Sequence, residues 1–288
     1  MTIRRRTLTM MGLTLASLVG VLYLVLSGIV RSGFGAVERR DAARDLEQVR
    51  QAFSHELDVI QQKTHDWAHW DDTYAFVLDG NDAYRRANLE NITFTGMNLD
   101  FLVVADTGGR LVTAIARAER SGPPQALAPA FTAAHFLPDS PLLSQAPGDP
   151  GHRGVLLTPG LPPALFCSLP ITRTDGSGDI RGSLVFGRFF DAGRQEAFSR
   201  LVKLDVRFGE DGAPEPGTAR GTALPDLERA GGAALREVDG ATLRGYLSWP
   251  DFYGRESLLA QVSIPRDIHR QAQASLRALL IALIVAGA

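Results

Sequence analysis

The chain has 288 residues, 45% of them hydrophobic and 22% charged, with a formal net charge of −2. A balance so near neutrality gives no electrostatic reason to expect a nucleic-acid partner. The one cysteine excludes an internal disulfide and any cysteine-rich metal knuckle.

From Thr7 to Val30 no residue is charged and Leu, Val and Met dominate, preceded by Arg4, Arg5 and Arg6. A helix needs about 20 apolar residues to cross a bilayer, and flanking arginines hold their side in the cytoplasm. A cleaved signal peptide has a shorter apolar core and a small-residue cleavage site, so a retained anchor is the expectation. A second apolar run, Ala278 to Ala288, follows Arg277. The expected organisation is a cytoplasmic N-terminus over 1–9, a transmembrane helix over 10–30, an extracytoplasmic sensor domain over 31–276, and the start of a second, truncated transmembrane helix over 277–288. That places the chain in a membrane, in contact with lipid, with its main domain outside the cytoplasm.

Between Ala36 and Trp70, apolar Leu46, Val49, Phe53, Leu57, Ile60 and Trp67 recur in steps of three and four, broken once at Thr64. This predicts one long helix whose stripe packs on its own domain, on a second copy in a homodimer, or on both along different stretches. A loop-rich zone follows over 78–97. Leu99 to Asp106 and Leu111 to Ile115, joined by Thr107-Gly108-Gly109, predict a β-hairpin. Residues 121–163, rich in Pro, Ala and Gly, predict a variable lobe with a short helix near 126–136. Leu165 to Thr172 and Ile180 to Phe189 predict a second hairpin, in which Cys167 reads as small apolar filler. Asp191 predicts an N-cap for a helix to about Lys203, and Leu204 to Phe208 a short strand. After a polar insert over 210–232, Ala241 to Trp249 pairs with Glu256 to Ile264, and Pro265 opens an exit helix. Antiparallel hairpins with helices beside them make an α+β domain.

The most distinctive stretch is Asp66-Trp67-Ala68-His69-Trp70-Asp71-Asp72-Thr73-Tyr74. Aromatic faces beside a carboxylate suit an amine or other cation, so Trp67, Trp70, Asp71, Asp72 and Tyr74 are candidate ligand contacts. The competing reading makes them the end of the helix's apolar stripe and its cap. Arg188, on a strand expected to face the pocket, is a candidate for a ligand carboxylate or for a surface ion pair. His65, His69 and Asp72, at i, i+4 and i+7, offer a metal-binding face, the basis of a rival reading as a metal-dependent envelope enzyme. A further rival is a structural envelope scaffold.

Trp67 and Trp70-Asp71-Asp72-Thr73-Tyr74, with Asn88-Leu89, Asp100 to Gly109, and Ile180-Arg181-Gly182-Ser183-Leu184-Val185-Phe186-Gly187-Arg188, resemble the type-four CHASE domain. That is an extracellular sensory module set between two transmembrane helices of bacterial receptors. The resemblance covers most of residues 35–270. It implies a PAS/Cache-like antiparallel sheet packed on a long N-terminal helix and flanked by transmembrane helices. It further implies a cytoplasmic output beyond residue 288: a diguanylate cyclase, a cyclic-di-GMP phosphodiesterase or a histidine kinase. The chain itself carries no nucleophile elbow, P-loop or HExxH helix. It is therefore expected to be a receptor's signal-transduction module with no catalysis or cofactor of its own.

Overall fold

The computed structural model describes residues 3–117, 123–146, 148–209, 232–237, 242–255, 257–266, 277–278 and 280–281. One helix, α1 (Ile3–Ala68), is the spine. Its buried stripe runs Ala42, Leu46, Val49, Phe53, Ile60 and Ala68. The break at Thr64 is filled by Thr64 itself, fully buried, because its hydroxyl donates to the Ile60 carbonyl at 2.8 Å.

Two antiparallel sheets pack along this helix. The first comprises β1 (Phe101–Asp106), β2 (Leu111–Ala116), β3 (Gln125–Ala126), β4 (His152–Leu156), β5 (Ala164–Pro170) and β6 (Gly182–Phe189), in the order β3-β2-β1-β6-β5-β4. Both of its faces are covered. Leu102, Val104, Leu165, Cys167, Leu184 and Phe186 join the core shared with α1. The intervening Phe101, Val103, Ala105, Phe166 and Val185 form a second core with Leu142, Leu143 and Phe131 of the short helix α5 (Pro129–His135). Double coverage is why these strands read as continuous apolar runs instead of alternating ones. Burial also pushes the Cys167 thiol up to about 11, in keeping with its apolar role.

The second sheet has the order β7-β10-β9-β8, formed by β7 (Asp205–Gly209), β8 (Ala233–Glu237), β9 (Thr242–Pro250) and β10 (Ser257–Pro265). Leu46 of α1 lies so close to Gly245 on β9 that a Cβ there would stand 2.4 Å from Leu46 Cδ2. Helix α6 (Ala192–Val202) links the sheets, and its predicted cap is present: Asp191 Oδ1 accepts from the Arg194 amide at 2.9 Å. Phe53 is the aromatic hub between the sheets, meeting Phe190, Phe198, Phe208 and Trp249 at centroid distances of 4.2–6.3 Å.

Several expectations change. The zone over 78–97 is helical: α2 (Asp71–Asp79), α3 (Asp82–Asn88) and α4 (Asn91–Met97). Left-handed Gly80 and Asn98 close α2 and α4, and Asn81 Oδ1 caps α3. Helices of seven to nine residues show too little periodicity to be read from sequence. The single expected sheet is two. Pro265 ends β10, paired with Thr242, and the exit helix expected after it falls largely outside the described residues, as do nearly all of 210–232 and most of 277–288. Among the described residues no helix is long and apolar enough to cross a membrane. The span expected over 10–30 lies inside α1, so the two crossings rest on the sequence pattern.

Candidate functional site

The tryptophan-aspartate block sits where α1 stops. Trp70 is extended, with φ −118 and ψ 128, and Asp71 and Asp72 open α2, where carboxylates favour the helix dipole. Trp67 and Trp70 are half-buried in the protein's own core. Trp67 packs edge-on against Phe186 at 5.5 Å and against Trp70 at 5.8 Å, and Trp70 lies 5.9 Å from Tyr84. Thr73 and Tyr84 share a buried hydroxyl–hydroxyl bond at 2.8 Å, and burial raises the Tyr84 phenol to about 12. Tyr74 is 5% exposed. The cations on its ring are the chain's own: Arg173 at 4.9 Å and Arg181 at 5.4 Å, with Arg181 Nε donating to the Tyr74 hydroxyl at 2.8 Å.

The same junction grips the β5–β6 loop by its backbone. The Thr172 amide donates to the Ala68 carbonyl at 3.0 Å, and the Thr174 amide to Asp71 Oδ1 at 3.2 Å. Asp72 remains exposed. Ala68, Asp71 and Tyr74 are therefore brought together as a bracket that holds this loop, with Trp67 and Trp70 packed in the core beside them.

The far limb of the loop forms a wall of a cleft of about 510 Å³, whose lining includes Thr107, Leu143, Gln145, Asp179, Ile180 and Ser183. Its floor is hydrogen-bonded through. Ser183 Oγ donates to the Leu143 carbonyl at 2.9 Å and Ser168 Oγ to the Leu142 carbonyl at 2.6 Å. Ser168 Oγ thus accepts from Gln145 Nε2 at 3.0 Å, which leaves Gln145 Oε1 buried with no partner. An unmet buried acceptor costs about 1–3 kcal/mol. Sequence reasoning missed these residues, because residues 143–145 lie in the Pro- and Gly-rich zone and single polar residues there carry no periodic signal.

Arg188 is not at this cleft. On β6 it shares the face of Leu184 and Phe186, turned toward α1, where its guanidinium pairs with Glu56. Sequence reading expected the pocket side, but strand parity assigns it to the helix side. Burial lowers its pKa, Glu56 opposing, and its Nε lacks a partner. Nearby, the Asp100 carboxylate accepts from the Phe189 amide at 2.9 Å and pairs with Arg117 and Arg194, tying β1 and β6 to α6.

A third feature joins the sheets. The β9–β10 turn, residues 251–255, docks on the first sheet's outer core. The Phe252 amide donates to the Val155 carbonyl at 2.9 Å, and the Phe252 ring meets Phe166 at 5.5 Å. His135 stacks on Tyr253 at 5.6 Å and 11°, with Nδ1 3.3 Å from the Tyr253 hydroxyl and Nε2 2.7 Å from Thr158 Oγ1. Burial drives the imidazole down to about 4, with Asp251 opposing and Arg255 adding to the shift. The ring is thus neutral, donating from one nitrogen and accepting at the other.

Residues 52–209 match the CHASE4 domain. The chain belongs to that family. It is 28% identical over 235 residues to the methanogenesis regulatory histidine kinase FilI of Methanothrix harundinacea (strain 6Ac), covering 80% of this chain and 25% of that protein. The chain thus spans a quarter of the length of that relative. Its fold is that of the extracellular domain of the histidine kinase candidate vpHK1S-Z8, with a TM-score of 0.50, 16% identity, and coverage of 83% of this chain and 95% of that one. A looser likeness, TM-score 0.43 at 9% identity over 77% of this chain and 99% of the other, is to the periplasmic domain of Vibrio cholerae LuxQ.

The CHASE4 match contains the bracket, the cleft and Arg188, while the second sheet's β8, β9 and β10 lie beyond it. This is a CHASE4 sensor domain. The metal face required one continuous helix through His65, His69 and Asp72. Instead α1 ends at Ala68 and the chain turns at Trp70, so the spacing breaks. His65 and His69 stack on each other at 4.2 Å, and among the described residues no group of three or more His, Cys, Asp or Glu side chains is placed to hold a metal.

Proposed function

We propose that this chain is the extracytoplasmic ligand-sensing module of a transmembrane receptor whose cytoplasmic output is a histidine kinase, and that it works as a dimer along α1. The CHASE4 match over residues 52–209 carries this reading. The FilI relative favours a kinase over a cyclase or phosphodiesterase as the output.

The geometry supplies a route for the signal. A ligand in the cleft bears on the β5–β6 loop, which is bracketed to the end of α1 by Tyr74, Asp71 and Ala68. The β9–β10 turn couples the first sheet to the second. At the other end of β10, Arg266 forms a buried two-point ion pair with Glu38 of α1, at 2.8 and 3.0 Å. A ligand that binds one arrangement of these sheets better than another shifts their balance by that difference in affinity.

The test fuses residues 1–288 to a HAMP segment and a histidine kinase. Alkaline phosphatase joined after Gly209 should be active and after Thr2 inactive, and Trp70→Ala should alter kinase output. An inactive phosphatase at Gly209 would overturn the topology. Kinase output insensitive to every substitution in bracket and cleft would overturn the sensor reading.

A further inference from the structure

We propose that the last turn of α1 carries a chelating site for a late first-row divalent metal ion, formed by His65 and His69. The turn at Trp70 takes Asp72 off that helix face, which leaves two protein ligands and open positions on the ion. His69 keeps the helical spacing, because its amide still bonds the His65 carbonyl at 3.1 Å. The same carbonyl meets His69 Nδ1 at 2.9 Å. A carbonyl only accepts, so Nδ1 carries the proton and Nε2 has the lone pair. Metal-ligating histidines are oriented in this way, the second ring nitrogen donating to a backbone carbonyl or carboxylate. On the other ring, His65 Nδ1 lies 4.0 Å from Asp66 Oδ1. Neither Nε2 has a hydrogen-bond partner among the described residues.

The two rings lie side by side, centroids 4.2 Å apart and 26° from parallel, and the His65 side chain is 63% exposed. An ion bonded to two imidazoles at about 2.0–2.1 Å draws their nitrogens to about 3 Å from each other. Rings already stacked reach that separation by small side-chain rotations. Asp66, Asp71 and Asp72 flank the pair in sequence, so the local field favours a cation. Imidazole selects Cu2+, Ni2+ and Zn2+, whereas Mg2+ and Ca2+ require oxygen ligands. The bound ion ties residues 65 and 69 across the turn that ends at Ala68, whose carbonyl holds the Thr172 amide of the β5–β6 loop. Metal occupancy therefore stiffens the helix end of the bracket.

The experiment titrates Ni2+, with Mg2+ as the hard-cation control, into the full chain in detergent micelles, purified without a polyhistidine tag. Binding is read by calorimetry. Ni2+ should bind and Mg2+ should not. His65→Gln and His69→Gln should each weaken Ni2+ about a hundredfold, because the second metal–imidazole bond is intramolecular and is lost with either ring. His55→Gln, at an exposed position elsewhere on α1, should leave the affinity unchanged. At a concentration that saturates only the wild type, Ni2+ should raise its melting temperature and leave those of His65→Gln and His69→Gln unmoved. The assignment is overturned if Ni2+ does not bind, if Mg2+ matches it, if either His65→Gln or His69→Gln binds as wild type does, or if His55→Gln costs as much as they do. The site does not rest on the receptor reading, which the phosphatase and kinase fusions test separately.

Discussion

Acid should loosen this domain through His135. Its ordinary pKa of about 6.5 applies in the unfolded chain, whereas in the fold the ring titrates near 4 because it is buried. Between those values the unfolded state takes up a proton that the folded state refuses, so stability falls as pH drops through that window and levels out below it. The 2.5-unit gap corresponds to a limit of about 3 kcal/mol, of which about 2 kcal/mol should be lost between about pH 7.5 and about pH 5. Urea unfolding followed by tryptophan fluorescence measures this, because Trp249 and Trp67 lie in the core between helix and sheets. His135→Gln removes the titration. The wild-type advantage over that variant should shrink by about 2 kcal/mol across the window. Parallel pH profiles for the two proteins would refute the argument, since carboxylates elsewhere contribute equally to both. The Phe252 amide, bonded to the Val155 carbonyl, offers a local readout: at the acid end its exchange should be faster in wild type than in His135→Gln at the same pH, relative to the same comparison at neutral pH.

Arg188→Met should cost about 3 kcal/mol by stranding Glu56, and Arg188→Met with Glu56→Leu should recover most of it. Equal urea midpoints for wild type and the single variant would remove the ion pair from the account of stability. Gly187→Ala should cost about 1–3 kcal/mol, since its Cβ would fall 1.9 Å from Cζ of the fully buried Phe101 ring. An unshifted urea midpoint would mean that the ring yields freely. Asp72→Ala should stay within about 0.5 kcal/mol of wild type, being exposed, while half-buried Trp70→Ala loses about 2 kcal/mol. Equal losses in thermal melts would assign Asp72 a structural role.

The legible parts of this protein are those with local period or punctuation. The α1 stripe, the β1–β2 and β5–β6 hairpins, the Asp191 cap and the β9–β10 pair all announce themselves through spacing or turn residues. The three short helices over 71–97 do not, because each is shorter than the window in which a helical period can be distinguished. β8 is likewise a five-residue strand, isolated beside a polar stretch. The block around Trp70 was conspicuous in sequence, yet two uses of aromatics and carboxylates, holding a ligand or holding a loop, share one composition.

The sequence by itself determined the long helix, the α+β class and the CHASE4 resemblance, because periodicity, turn chemistry and a dense aromatic-acidic motif are properties of neighbours along the chain. Tertiary structure alone decided that there are two sheets, that Arg188 faces Glu56, that Tyr74 carries Arg173 and Arg181, and that His135 clasps a turn 118 residues away. Those outcomes depend on which distant side chains share a buried space, and desolvation makes each such pairing matter only once the fold has closed around it.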